Sequence, residues 1–208
     1  RDEFLTQLRH FEAMTKTISA NTAGDHSNPQ YLAILQYITH VAHCYQKECE
    51  ALPDHLLETL KKTKHNLHSD TRLTMVNCVI MLRNKGIVTP EKTLPVLFDL
   101  LELRDKTVRR VILGHIVGDM RRAHQPGAKN GVALNRTVQN FLFNIMAEDD
   151  QTQARSAMIV MIDLYRRHIW SDNKTVNVLS KACFSKHARI LRMALHFFLM
   201  EMPKFSSI

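Results

Sequence analysis

The sequence predicts an all-α fold, an α-solenoid of HEAT- or armadillo-like helical hairpins. Three observations lead there. Apolar residues recur at spacings of three and four from one end of the chain to the other. Strand signals are nearly absent. A polar or small lead-in followed by Arg recurs at helix openings, at Asp70–Arg72, Asp105–Arg109, Asp150–Arg155 and Ser185–Arg189, with the arginines 37, 46 and 34 residues apart. HEAT and armadillo hairpins repeat at about 40–47 residues, with shorter variants common. Stacked hairpins bury each face on the next repeat, so no single apolar segment has to dominate.

About ten helices follow from the stripes. Phe4, Leu8, Phe11 and Met14 make the first, and Leu32, Leu35, Ile38 and Ala42 the second. Pro53 sits in the opening turn of a third, which carries Leu56, Leu57 and Leu60. Ser69 or Asp70 is expected to cap a fourth, with Leu73, Val76, Val79 and Ile80 inward and Gly86 as its C-terminal cap. Thr89-Pro90-Glu91 opens a fifth, where Pro95 forces either a late start or a kink. Later stripes are Val108, Val111, Ile112 and Ile116; Val138, Phe141, Leu142 and Ile145; and Ala154, Ala157, Met158, Met161 and Tyr165. The last two are Val176, Leu179 and Cys183, then Ile190, Leu191, Ala194, Leu195 and Phe198. Residues 20–28 and 123–131 (AHQPGAKNG in the second) read as loops. Residues 1–208 are expected to be one helical-repeat domain and, from a start at Arg1, a segment of a longer chain.

Composition narrows the function. Hydrophobic residues make up 45% and charged residues 23%, the profile of a folded chain rather than a disordered one. No apolar run reaches the roughly 20 residues that span a bilayer, so no membrane role is expected. The four cysteines, Cys44, Cys49, Cys78 and Cys183, fall in helical apolar patterns without a Cys-x-x-Cys pair, and are expected to be reduced and mostly buried. His40, His43, Cys44, Cys49, His65 and His68 could be considered for zinc. They lack both the knuckle spacing of a structural site and the carboxylate of His-Glu-x-x-His, so no metal is expected. Ser180, Cys183 and Ser185 lie near cations but in no nucleophile elbow, and no Gly-rich loop ends in Lys-Ser or Lys-Thr. No enzyme, cofactor or small-molecule substrate is therefore expected. Gly114 and Gly118 suit close helix contact, and Glu148-Asp149-Asp150 suits a helix N-terminus.

The charge is informative once placed. Residues 1–103 carry 11 Lys+Arg against 12 Asp+Glu, and residues 104–208 carry 17 against 8. A cation excess confined to one half points to a polyanion, RNA rather than membrane. Candidate RNA-binding residues are Arg109, Arg110, Arg121, Arg122, Lys129, Arg166, Arg167, Lys174, Lys181 and Lys186, with Arg189 and Arg192 continuing the series. On a solenoid such repeated cations would line one surface. Asp163 stands three and four residues before Arg166 and Arg167, the spacing of an intrahelical ion pair. Aromatic residues are only 7% and mostly sit in the apolar stripes, so phosphate and shape contacts are expected over base reading.

The segment LYRRHIWSDNKTVNVLSKACFSK (Leu164–Lys186) holds the single tryptophan, Trp170, at a turn between helices. It reads as a packed joint with a cationic rim, with Asp172 or Asn173 starting the next helix. The same segment resembles the hallmark stretch of the severe-depolymerisation-of-actin (SDA) family of nucleolar ribosome-assembly factors. ITHVAHCY (Ile38–Tyr45), LRNKGIVTP (Leu82–Pro90) and VQNFLF (Val138–Phe143) are similar to that family too, and the resemblance runs from Tyr31 to Leu199. His168 and Ser171 stand where the family pattern has Asn or similar residues. The first 28 residues and the final MPKFSSI carry no match. The resemblance implies a non-enzymatic factor that joins the large-subunit (pre-60S) precursor in the nucleolus and nucleus through ribosomal RNA and assembly factors. It also implies a role in maturation and export alongside the midasin ATPase and its adaptor complex, with the actin of the family's name reflecting a phenotype. No family active site is carried over. The alternative is a HEAT-type protein-only scaffold or transport adaptor.

Overall fold

A computed structural model describes residues 2–20, 28–127, 131–148 and 150–199, with the side chains of 17–20 excepted. Among these residues there are ten α-helices and no strand: α1 Asp2–Ala20, α2 Pro29–Val41, α3 Leu52–Thr63, α4 Ser69–Asn84, α5 Pro90–Leu100, α6 Lys106–Ala123, α7 Gly131–Ala147, α8 Gln151–Arg166, α9 Asn173–Lys181 and α10 Ala188–Phe198. A single 3-10 turn, Ala182–Phe184, follows α9. The chain divides into two compact units, Arg1–Val108 and Arg109–Ile208.

In the first unit, α1 packs on α2, α2 on α4, and α3 on both α4 and α5. Contacts from one helix to the next but one are what stacked helical hairpins produce. Asn28 caps α2 by accepting the Tyr31 N–H at 3.1 Å, and Pro29 occupies the first turn, where its missing N–H costs nothing. This early start puts Tyr31, not Leu32, on the buried stripe with Leu35, Ile38 and Ala42. Phe11 stacks on Tyr31 with ring centroids 5.4 Å apart, and Phe4 stacks on Tyr45 at 4.1 Å. Leu8 and Met14 are only half-buried.

The cap of α4 differs from expectation. His68 is the capping residue, its Nδ1 accepting the Asp70 N–H at 3.3 Å, because the Ser69 hydroxyl instead donates to Asp105 at 3.1 Å. The buried residues of α4 are Thr71, Met75, Val76, Cys78, Val79 and Leu82, while Leu73 and Ile80 are half-buried. Gly86 ends α4 at φ +73, with the Gly86 N–H reaching Arg83 C=O and the Ile87 N–H reaching Leu82 C=O, both at 3.0 Å. That left-handed step is where Gly escapes the Cβ penalty. Helix α5 opens at Pro90 without delay, and Pro95 lies inside it on an exposed position.

One ion-pair group ties this unit's loops to its helices. Arg72 Nη1 meets Asp105 Oδ2 at 3.2 Å, Nε donates to Lys64 C=O at 3.0 Å and Nη2 to Leu67 C=O at 2.8 Å. Both charged side chains are 11% exposed. Burial pushes the Asp105 carboxyl up, but the Val108 N–H, the Ser69 hydroxyl and the Arg72 charge together hold it below the usual carboxylate range. Lys64 completes the group, with Asp99 at 2.6 Å and Glu102 at 3.2 Å.

In the second unit, α8 packs on α7, α9 and α10. Coverage on several sides explains why α8 buries Ser156, Val160, Ile162 and Leu164 in addition to the expected Ala154, Ala157, Met158 and Met161. Asp150 caps α8 with bonds from the Thr152 and Gln153 N–H groups at 2.8 and 3.2 Å, as the acidic run foretold. Trp170 is 2% exposed and donates its indole N–H to Asn135 of α7, so it is a packed joint. Asp172 is the residue before α9; it accepts from Thr175 at 2.5 Å and from Gln139 at 2.9 Å.

Three expectations need correction. An added Cβ at Gly114 would meet nothing within 4 Å, and at Gly118 only the tip of Arg122 at 3.8 Å, so neither glycine serves a close helix contact. Cys44 is exposed and Cys183 half-buried, because Cys44 lies in the turn after α2; only Cys49 and Cys78 are buried, and all four are free thiols. On α10 only Ile190 and Ala194 are buried, while Leu195 and Phe198 are 44% and 42% exposed.

Candidate nucleic-acid interface

The units differ in charge. The first holds 13 Lys+Arg and 13 Asp+Glu, the second 15 and 7, so the whole net charge of +8 belongs to Arg109–Ile208. Helix ends account for some of these cations. Arg121 and Arg122 occupy the last turn of α6, Arg166 that of α8 and Lys181 that of α9. Each opposes the negative end of a helix dipole, worth about 0.3–1 kcal/mol. The first unit meets the same need with no net charge, so dipoles alone do not explain the excess.

Two of the candidate arginines, Arg121 and Arg167, stand at the ends of different helices and line one depression. Past α6 the chain turns through His124, whose N–H reaches Met120 C=O at 3.0 Å, then Pro126 and Gly127 at φ +80. Past α8 it turns through His168 at φ +57, with the His168 N–H on Tyr165 C=O at 2.9 Å and the Ile169 N–H on Leu164 C=O at 3.0 Å. These two turns face a common open depression of about 470 Å³ lined by Arg121, His124, Gln125, Pro126, Arg167 and Ile169. Arg121 is exposed and makes no hydrogen bond or ion pair among the described residues. Arg167 lines the same depression, with its Nε donating to Asp163 Oδ2 at 3.0 Å. Two guanidinium groups presented from rigid helix ends can take a phosphate in the bidentate manner.

The other candidates divide by environment. Arg122 folds back on Asp119 of its own helix. Arg109 is half-buried, with its Nε shut from solvent and unbonded among the described residues. Arg110 and Lys186 are exposed and already take part in interactions. Arg166, Lys174 and Lys181 are exposed and unpaired among the described residues, and Lys174 and Lys181, seven residues apart, share one face of α9. Lys129 lies outside the described residues.

Two exposed features escaped the sequence reading. Arg136 on α7 is exposed and unpaired among the described residues, but it stands alone in the sequence, outside any basic pair or series. Phe184 is 90% exposed. Its signal was legible, since the stripe Val176–Leu179–Cys183 passes it by one position. His43 Nε2 lies 3.3 Å from Cys44 Sγ, while His40 Nδ1 is turned to Gln36 C=O at 2.8 Å. Among the described residues no three metal-ligating side chains converge, and no helix is long and apolar enough to cross a membrane.

Comparison with known proteins agrees with this architecture. The family model described as "SDA1, HEAT repeat" matches residues 37–205. The Protein SDA1 homolog of Xenopus laevis is 37% identical over 200 residues, covering 96% of this chain and 28% of the relative. That of Nematostella vectensis is 36% identical over 197 residues, covering 95% and 28%, and that of Dictyostelium discoideum is 32% identical over 199, covering 96% and 26%. The chain thus spans little more than a quarter of the length of these relatives. Helix content, next-but-one packing and the matched HEAT description agree on an all-α, solenoid-class fold, and the chain belongs to the SDA1 family.

Proposed function

We propose that this chain is the helical-repeat part of a non-enzymatic ribosome-assembly factor. It binds the large-subunit (pre-60S) precursor in the nucleolus and nucleus and supports maturation and export beside the midasin ATPase and its adaptor complex. The basic unit meets ribosomal RNA, and the neutral unit serves as scaffold for assembly factors. The observation that carries this reading is the confinement of the net +8 to one unit, where Arg121, Arg166, Lys174 and Lys181 stand exposed and unpaired among the described residues. Such charge is costly to hold together unless a polyanion neutralises it. The likeness of Leu164–Lys186 to the SDA hallmark segment supplies the particle.

Gradient sedimentation of the tagged full-length protein from nuclear extract, with RNA probed across fractions, tests it. Co-migration with large-subunit precursor RNA, reduced by R121E/R167E, is the expected result. A small RNA-free species that ignores the double charge reversal would remove the reading. The second reading, a protein-only HEAT scaffold or transport adaptor, is favoured by the exposed Leu195, Phe198 and Leu199 of the α10 region. Association that survives nuclease treatment would put it first.

A further inference from the structure

We infer that the segment from α9 to α10 binds single-stranded RNA, with the Phe184 ring stacking on an unpaired base and Lys181 and Lys174 of α9 holding the neighbouring phosphates. The inference rests on the RNA reading above and gives it a strand preference. Phe184 is the most exposed aromatic side chain among the described residues, at 90%, whereas Trp170, Phe4, Phe11 and Phe98 are at 2% or less. It ends a 3-10 turn pinned on its inner side by buried Ala182 and closed by the Ser185 N–H on Ala182 C=O at 3.2 Å. The turn packs on both α9 and α10. An aromatic ring held out by a braced turn is a preorganised platform, with little ordering left to do on binding.

The charge around it is one-sided. From Asn173 to Leu199 the sequence has Lys174, Lys181, Lys186, Arg189 and Arg192 and no Asp or Glu. Asp172, the nearest carboxylate before it, is occupied by Thr175 and Gln139. Lys181 precedes the ring by three residues, and Lys174 lies two turns up the same exposed face of α9. A nucleotide brings a flat π-face and an anion in one unit, which suits an exposed ring preceded by Lys181 and Lys174. A duplex offers the phosphates but keeps its base faces stacked inside, so it leaves Phe184 unused. An acidic peptide offers carboxylates to the lysines but brings no flat π-face for the ring.

The test measures affinity of the 208-residue chain for a fluorescent single-stranded oligouridylate and for an RNA duplex of the same length. Wild type, F184A, F184W and R121E/R167E are compared. The exposed ring makes F184A safe for folding. The expected result is tighter single-strand binding, a loss of about tenfold for F184A on the single strand alone, and retention by F184W. If F184A changes neither affinity while R121E/R167E lowers both, the stacking inference is overturned and the RNA reading stands. If wild type binds neither probe, both are overturned.

Discussion

Replacing Asp105 by Ala is expected to destabilise the first unit by about 4 kcal/mol, for two separable reasons. Asp105 Oδ1 accepts the Thr107 and Val108 N–H groups at 3.1 Å, capping α6, and losing such a cap costs about 1 kcal/mol. Its Oδ2 faces Arg72 in a pair whose side chains are 11% exposed, and breaking a buried pair from one side costs about 3–5 kcal/mol. The lower end applies, since Arg72 keeps the Lys64 and Leu67 carbonyls. Asp105→Asn retains a capping acceptor and should cost only the charge contribution, about 2–3 kcal/mol. The double variant R72M/D105A removes the stranded cation but still lacks the α6 cap and the donors to the Lys64 and Leu67 carbonyls, so it should be less unstable than the sum of the two single variants. Urea unfolding followed by far-UV circular dichroism reads the series, since 4 kcal/mol moves the midpoint by at least about 1 M. Asp105 is held below its ordinary range, so its contribution is present above the unfolded value and is lost as pH falls through the lowered folded value. D105A within about 0.5 kcal/mol of wild type, or a double variant as unstable as the sum of its parts, would refute the staple.

Other expectations concern the second unit, where Trp170 supplies a local fluorescence signal. His168→Gly should stabilise that unit by about 0.5–1 kcal/mol by relieving a left-handed backbone that only Gly adopts freely; destabilisation would show that the imidazole makes a needed contact. Asp172 is depressed because hydrogen bonds from Thr175 and Gln139 outweigh the upward push of burial. The Trp170 transition should therefore weaken as pH falls through its folded value, and D172N should flatten that dependence. For R121E/R167E, the plot of log affinity against log salt on single-stranded RNA should become shallower by about 1.4, at 0.7 per phosphate contact. An unchanged slope would mean these arginines touch no phosphate.

Much of the fold was legible because apolar spacing is a local property. The stripe Leu56–Leu57–Leu60, the Gly86 stop and the Pro53 and Pro90 openings each follow from residues a few positions apart. The errors arose where a residue's neighbour comes from elsewhere in the chain. Ser69 looked like a cap, but Asp105, 36 residues on, takes its hydroxyl and leaves the cap to His68. Gly114 and Gly118 looked like contact points, but packing gives them open space. His168 shows the reverse case. The resemblance leads to an expectation of Asn or a similar residue there, and the left-handed helix end at His168 suits Asn or Gly. The candidate interface was legible in charge but not in grouping. Nothing in the spacing of Arg121 and Arg167 shows that two helix ends line one depression.

The decisive contrast for function lies between how the two units use arginine. Arg72 is surrounded by Asp105 and two carbonyls, all its bonding directed inward, and it stabilises a loop. Arg121 occupies a comparable place near a helix end, yet has no partner among the described residues and shares its depression with a second arginine. A cation that folding needs is paired, because an exposed like-charged neighbour costs energy and returns none. The second unit repeats the unpaired arrangement at Arg166, Lys174 and Lys181. The dipoles of α6, α8 and α9 favour Arg121, Arg166 and Lys181 singly, but not Lys174, and the proposed ligand with its regularly spaced anions would reward all four together.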